Sequence, residues 1–442
     1  MENKIAVVGA GLVGSLLAAL LAKKGHHIDL IERRPDLRKA DISAGRSINL
    51  ALSDRGLKAL ELIGLADQMK AISIPMTGRY LHDEDGTVRQ MPYGKEGQHI
   101  LSISRGQLNQ KLLDVAEETG QVDLKFNAPC KHIDLNSNTI TTQDYADKTE
   151  ETTSYQHIFG TDGAFSVVRD RMMRGDRFDY SQHYISSGYK ELSMPPVEGK
   201  KWAIDKNFLH IWPRKSFMLI ALPNLDGSFT CTLFMPFEGE YSFSKLTNDA
   251  EVKTFFQTHF ADAVPHMTTL MEDWHQNATS SLVTVKASPW HFEDKALLLG
   301  DAAHAIVPFY GQGMNAGFED VTVLEELMSK GGNWADIFKQ FSQKRVADGH
   351  AIADLAIANY TEMRDLVADP HFVKKRALSG KISQLMPDTW LPLYSMVTFS
   401  HIPYHEALAK GKNQDEILEK LVAAGLSVDS SDDAIKAAIK SL

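Results

Sequence analysis

The chain has 442 residues, 43% hydrophobic, 9% aromatic and 24% charged, which is long and apolar enough for two or three interleaved domains with a sizeable core and excludes a short binding peptide or a largely disordered chain. Lys and Arg number 47 against 57 Asp and Glu, a formal net charge of −10, which opposes attraction to polyanions, so nucleic acid is not an expected partner. The two cysteines, Cys130 and Cys231, are too few for a disulfide framework or a cysteine-rich metal site and point to a reducing, cytoplasmic setting.

Residues 5–22 form an uncharged run that meets the membrane-spanning length threshold. Gly9, Gly11 and Gly14 interrupt it, and glycine costs about 1 kcal/mol inside a helix, so a buried strand, a turn and a helix are expected instead. Ile5-Ala-Val-Val8 has the length of a buried parallel strand, residues 12–24 are helical in character, and residues 27–31 read as a second strand. Strand, glycine turn, helix, strand opens a doubly wound α/β fold. An amphipathic helix is expected over 106–119. Residues 127–158 are strand-like and polar, with 144–153 read as loop or hairpin.

From residue 184 the text becomes β-rich, with segments at 184–192, 208–212, 217–222 and 229–235 punctuated by Pro195-Pro196, Pro213 and Asp226-Gly227. This predicts a separate antiparallel sheet. After Ser288-Pro289 the α/β text resumes at 296–301, and from Asn315 onward the chain is mostly helical. Two short helices are expected after Lys410, the second capped by Ser431 or Asp432. The nucleotide-binding part is therefore discontinuous, 1–180 with 285–365. Residues 181–284 form a second domain and 366–442 a helical C-terminal region.

Three blocks carry chemistry. In Gly9-Ala-Gly11-Leu-Val-Gly14, the first glycine permits the tight turn, the second the approach of a pyrophosphate, and the third close packing of helix on strand. The helix N-terminus adds N–H donors and a favourable dipole. Glu32 ends the second strand about twenty residues on, where a carboxylate accepts from both hydroxyls of an adenosine ribose, favouring FAD or NAD over NADP. Asp162-Gly163 precedes a basic helix over 167–173, where Asp162 or Ser166 could equally serve as an ordinary helix cap. Finally, a buried strand delivers Asp301 to its carboxyl end, and Pro308-Phe-Tyr-Gly311-Gln-Gly313-Met-Asn315 then opens a helix whose N–H groups and positive end suit an anion.

In this order and at this spread, the three blocks resemble the class A flavoprotein aromatic hydroxylases. Ser43-Ala-Gly-Arg-Ser-Ile-Asn-Leu-Ala-Leu-Ser-Asp-Arg-Gly56, Phe178-Asp-Tyr-Ser-Gln182, Leu209-His-Ile-Trp-Pro213, Phe229-Thr-Cys-Thr-Leu-Phe-Met-Pro-Phe237 and the stretch 304–320 resemble the kynurenine-hydroxylating members of that family, from Ile5 to about Glu406. The resemblance implies an α/β fold, with a Rossmann-like FAD-binding domain, an antiparallel β-sheet substrate domain and a helical C-terminal region. It further implies non-covalent FAD and NADPH as a reductant without a Rossmann domain of its own. Dioxygen would form a flavin C4a-hydroperoxide that transfers oxygen to the ring of L-kynurenine, giving 3-hydroxykynurenine. The substrate's aniline nitrogen would activate the ring, so no dedicated catalytic residue is expected.

By matching motifs, the resemblance assigns the kynurenine carboxylate to Arg79, Tyr93, Asn359 and Tyr394, so that 76–97 contribute to the substrate site. Phe234, Phe309, Tyr310 and Gln312 are expected around the flavin ring, although those aromatics could equally be packing residues. Arg33, Arg38, Ala51 and Arg105 join Gly9, Gly11, Gly14, Glu32, Asp162, Asp301, Gly311, Gly313, Met314 and Asn315 as cofactor-binding candidates. His401 and His405 stand at i, i+4, but Pro403 lies between them and no third ligand is evident, so no metal is expected. Eukaryotic relatives carry a hydrophobic C-terminal anchor, whereas residues 411–442 are polar and interrupted by charge. A soluble, cytoplasmic protein without a membrane anchor is expected, with a homodimer as the candidate assembly and the oligomeric state left open. The alternatives are a same-class hydroxylase of another aromatic acid and a non-catalytic flavin-fold binding protein.

Overall fold

The computed structural model describes residues 4–39, 49–198, 202–366 and 369–441, with the side chains of residues 365 and 366 excluded. Residues 43–48 of the Ser43 motif, and with them the predicted segment ends at 1–3 and 442, lie outside the described residues. The uncharged run 5–22 folds as strand Lys4–Val8, a glycine turn and helix Leu12–Lys23. Ten of the twelve helix residues are buried, so the helix is apolar because it lies inside the protein. Among the described residues, no helix is long and apolar enough to cross a membrane.

Strand Lys4–Val8 lies inside a six-stranded sheet. The order is His291–Phe292, Ala296–Leu298, His157–Gly160, Lys4–Val8, His27–Ile31 and Val122–Lys125. All its pairings are parallel except the His291–Phe292 edge. Buried on both faces, such strands read as continuous apolar runs, and Ile5, Ala6, Val7, Ile158, Phe159, Leu297 and Leu298 are all fully buried. Helices Leu12–Lys23, Arg105–Glu118 and Gly313–Ser329 contribute to this first core.

The second sheet has seven strands, in the order Ser280–Ser288, Asp179–Met194, Phe229–Pro236, Phe217–Pro223, Phe208–Arg214, Gly78–His82 and Val88–Pro92. Asp179–Met194 is longer than the 184–192 segment expected, because its first residues are mostly solvent-exposed and carry no apolar alternation to read. The segment after Met76 adds the last two strands, and Gly78–His82 pairs in parallel with Phe208–Arg214. One face of the sheet packs on helix Trp334–Thr361 and the C-terminal region, and the other on helices Asp249–His259 and Leu270–Gln276. The polar stretch after Asn127 forms a small antiparallel sheet of Cys130–Asp134, Thr139–Gln143 and Glu150–Ser154.

The tail departs from expectation. Instead of a short helix beginning after Lys410, one 20-residue helix spans Tyr404–Ala423. Gly411 sits within it because a Cβ there would come 2.9 Å from the Leu393 side chain, so close packing rather than a helix break explains the glycine. The last helix, Asp432–Lys440, is capped by Ser431, whose hydroxyl accepts from the Ala434 N–H.

Candidate functional site

A cavity of about 770 Å³ runs from the glycine turn after Lys4–Val8 to the inner face of the seven-stranded sheet. Gly9, Gly11, Glu32 and Arg33 line one end; Asp162, Arg105, Asp301, Gly311, Gly313 and Met314 line the middle; and Arg79, Tyr93, Phe234, Phe309, Tyr310 and Tyr394 surround the other end. Ala51 also lines it. Strand ends and helix starts, where open α/β sheets bind ligands, supply most of the first two groups.

The three fingerprint glycines have separate geometric tasks. Gly9 has φ +101°, a left-handed conformation that glycine adopts without strain. A Cβ at Gly14 would lie 1.9 Å from the Gly9 carbonyl oxygen and 2.5 Å from Thr161 Oγ1, so this glycine lets the helix seat on the strands. No atom lies within 4 Å of the Cβ position of Gly11. That open space faces the cavity at the N-terminus of helix Leu12–Lys23, as a pyrophosphate requires.

Glu32 is buried, and its carboxylate accepts from the Ala10 N–H at 3.0 Å and from the Arg34 N–H and Nε at 3.0 and 2.8 Å. Burial opposes its charge, but the Arg34 guanidinium and these backbone N–H groups hold the carboxyl below its ordinary value. It is an anion at the glycine-turn end of the cavity. Asp162 caps helix Val167–Met172, Oδ2 accepting from the Val167 N–H at 2.7 Å, while Oδ1 is buried without a partner. Ser166 caps the same helix by accepting from the Arg169 N–H at 3.0 Å. Cap and ligand group are therefore compatible roles for one carboxylate. Asp301 is exposed to the cavity, and its desolvated place deep in the fold raises its carboxyl above the usual range, with nearby Arg105 and His304 acting in the opposite sense.

At the far end, the Arg79 guanidinium lies 5.1 Å from the ring centre of Tyr394 and 5.8 Å from that of Tyr93. Tyr394 stacks between Tyr93 and Tyr310, at 5.3 and 5.6 Å. Burial raises the pKa of all three phenols, so they stay neutral and can donate. Arg79 Nε and the Tyr93 hydroxyl are buried without hydrogen-bond partners, and Arg79 has no ion pair among the described residues. A buried cation flanked by idle donors is costly unless an anion completes the site.

Some predicted site residues stand behind the wall rather than on it. Asn315 Oδ1 accepts from the Ser53 N–H, and its Nδ2 donates to the carbonyls of Ala51 and Gly311 at 2.8 and 2.9 Å. Asn359 Nδ2 donates to the Phe309 carbonyl at 2.6 Å. Gln312 accepts from the Tyr404 hydroxyl at 3.0 Å. Arg38 is engaged by Asp36, Asp114 and Glu117 at 2.9, 3.1 and 2.7 Å, away from the cavity. His405 Nδ1 lies 2.7 Å from Asp348 Oδ1, and among the described residues no group of three or more His, Cys, Asp or Glu could hold a metal ion. Sequence reasoning missed Met363 and Thr232, which also line the cavity, and the largely buried ion pairs around Arg55 and Arg345.

The two large sheets and the long cavity between them define a flavoprotein hydroxylase fold. The FAD binding domain family model matches residues 2–355, and the chain belongs to that family. Among solved structures, the tetrameric form of 2-methyl-3-hydroxypyridine-5-carboxylic acid oxygenase superposes with a TM-score of 0.68 at 20% identity, over 84% of this chain and 95% of that one. The structure of P. aeruginosa PqsL in complex with 2-aminobenzoylacetate gives 0.67 at 16% identity, over 82% and 97%.

Sequence relatives narrow the family to the kynurenine 3-monooxygenases, to which this chain belongs. The kynurenine 3-monooxygenase of Flavobacterium johnsoniae is 49% identical over 420 residues, 95% of this chain and 94% of that one. That of Sus scrofa is 46% identical over 421 residues, 94% and 88% of the two chains.

Proposed function

We propose that this chain hydroxylates L-kynurenine to 3-hydroxykynurenine with FAD, NADPH and O₂. The observation that carries the substrate assignment is Arg79, a buried guanidinium that forms no ion pair among the described residues, at the end of the cavity opposite the glycine turn. An amino-acid carboxylate supplies the missing anion, accepting in bidentate fashion from the Arg79 guanidinium and from the Tyr93 and Tyr394 hydroxyls. Asn359 then acts one step back, fixing Phe309 through its carbonyl.

The residues present also fit FAD. Glu32 would take the ribose hydroxyls, the open space at Gly11 the pyrophosphate, the free Oδ1 of Asp162 a donor, and the loop at Gly311 and Gly313 the flavin end. When bound, FAD supplies the activation of dioxygen for transfer to an aromatic ring. The protein's own part is positional. Phe234, Phe309 and Tyr310 enclose the ring apolarly and exclude water, while Arg79 fixes the opposite end of the substrate. The substrate's amino group activates its own ring, so no protein base is assigned. In this reading 1–180 with 285–365 hold the cofactor, 76–97 and 181–284 wall the substrate, and 366–442 close the substrate end through Tyr394.

Aerobic NADPH oxidation by the FAD-loaded protein, measured with and without L-kynurenine and with the product identified by mass, tests the reading. Stimulated oxidation with 3-hydroxykynurenine as product is expected. Stimulation yielding only hydrogen peroxide would remove kynurenine as the substrate and leave it an effector.

A further inference from the structure

Arg55 lies within the Ser43 to Gly56 motif, has no place on the cavity wall, and is among the largest fully buried side chains of the molecule. Its side chain is 0% exposed. A buried guanidinium needs all its donors engaged, and here they converge on a segment more than 340 positions away. Nε donates to the Val397 carbonyl at 2.9 Å, and Nη2 to the carbonyls of Ile402 and Met396 at 2.5 and 3.4 Å. Met396 and Val397 belong to helix Leu393–Thr398, whose last carbonyls have no partners within the helix itself, and a cation at that end also complements its dipole. Tyr394 sits in the first turn of this helix.

The other side of Arg55 is anchored. Nη1 pairs with Glu319, which also receives Arg345 Nη1 at 2.7 Å, and Arg345 Nε binds Asp320 at 2.8 Å. Asp320 Oδ2 in turn accepts from the Gly300 N–H at 2.8 Å and from His304 at 2.6 Å. Glu319 and Asp320 lie on helix Gly313–Ser329, which begins at the glycine loop of the cavity. The Tyr404 ring covers the guanidinium 4.1 Å away.

We propose that Arg55 is a positioning residue for the substrate carboxylate. It clamps the helix bearing Tyr394 to the helix that opens at the flavin loop, and so sets the distance between the two ends of the site. The inference rests on the reading of the Arg79 end as the carboxylate site.

The test uses the FAD-loaded full chain. Arg55→Lys keeps the charge beside Glu319 and Tyr404, but one ammonium cannot reach all three carbonyls. The KM for L-kynurenine should rise about five-fold or more while kcat stays within about two-fold and FAD affinity is unchanged. Amide hydrogen exchange should accelerate across 393–402 and stay at the wild-type level across 313–329. Glu319→Gln, which keeps the carbonyl bonds and loosens the anchor, should raise KM in the same direction by less. An unchanged KM, or loss of FAD affinity in parallel with KM, overturns the proposal. If Arg55→Lys does not fold, Glu319→Gln decides it by the same criterion. Should the wild-type protein fail to hydroxylate L-kynurenine, the substrate reading falls, while the exchange comparison still decides whether Arg55 holds 393–402.

Discussion

Two buried residues on neighbouring strands illustrate how single groups control behaviour here. Arg79 is 6% exposed and meets aromatic rings where a carboxylate partner would be expected. Charged hydrogen bonds contribute about 1.5–3 kcal/mol, so Arg79→Ala should raise the KM for L-kynurenine about ten-fold or more. Steady-state kinetics of the FAD-loaded variant check this, and an unchanged KM removes Arg79 from the carboxylate site. Arg79→Lys should recover only part of the loss, because an ammonium lacks the planar fork. On the opposite face of the sheet, His210 Nε2 lies 2.7 Å from the Asp205 carbonyl oxygen, which can only accept, so Nε2 carries the proton. His210 Nδ1 meets His82 Nε2 at 3.0 Å, and His82 Nδ1 meets Asp262 at 2.7 Å. Burial pushes His210 down to about 4 from an ordinary value of 6.5. Between those values the unfolded chain binds a proton that the folded chain refuses, so stability falls as pH drops through that window, by up to about 3 kcal/mol. Partial desolvation works against the charge of the exposed Asp262 carboxylate, but hydrogen bonds from His82 and Trp212 pull it down to about 2, so its contribution is lost only at lower pH. His210→Asn should therefore flatten the fall in Tm between pH 6.5 and 4.5, and a slope equal to wild type would show that His210 is not the group responsible.

At the scale of elements, the glycine turn separates folding from ligand binding. Gly14→Ala puts a methyl against the Gly9 carbonyl and Thr161, so the helix must lift off the sheet. The expected result is a destabilised, poorly expressed chain. Gly11→Val meets no protein atom within 4 Å, and its φ of −74° is ordinary for any residue. Its apoprotein should melt within about 1–2 °C of wild type while FAD affinity drops about ten-fold or more, because the side chain fills the space left for the pyrophosphate. Fluorescence titration with FAD and thermal unfolding measure the two effects separately, and equal loss in both would mean that Gly11 is structural. This local turn was readable from sequence because its chemistry is compressed into six residues. Arg38 was not. Its partners Asp114 and Glu117 come from helix Arg105–Glu118, more than 75 positions away, so an arginine following Glu32 looked free to meet a cofactor. The burial of Arg79 was equally hidden, since it follows from pairing Gly78–His82 with Phe208–Arg214. Asn315 and Asn359 were found as polar residues of the site, but sequence could not tell a residue touching ligand from one holding the backbone that does.

Those two asparagines matter most for the molecule as a whole, because the segment they hold joins the Arg79 end of the cavity to its middle. Pro308–Tyr310 presents Phe309 and Tyr310 to the end of the cavity at Arg79, and Gly311, at φ +67°, turns the chain into helix Gly313–Ser329 at the middle of the cavity. Asn359 holds the Phe309 carbonyl from helix Trp334–Thr361, and Asn315 holds the Gly311 carbonyl from within the following helix. A ligand that orders one side of this segment orders the other, so FAD and L-kynurenine should bind cooperatively. Linkage requires the coupling to be reciprocal: the factor by which FAD tightens kynurenine binding equals the factor by which kynurenine tightens FAD binding. We expect about ten-fold, which is about 1.4 kcal/mol. Calorimetric titration of each ligand, alone and against the protein saturated with the other, measures both factors. Asn359→Ala releases the Phe309 carbonyl from its donor and should shrink the factor towards one while each separate affinity changes less. A factor of one in the wild-type protein would mean that the two ligands bind independently, and that residues 308–313 do not transmit order between them.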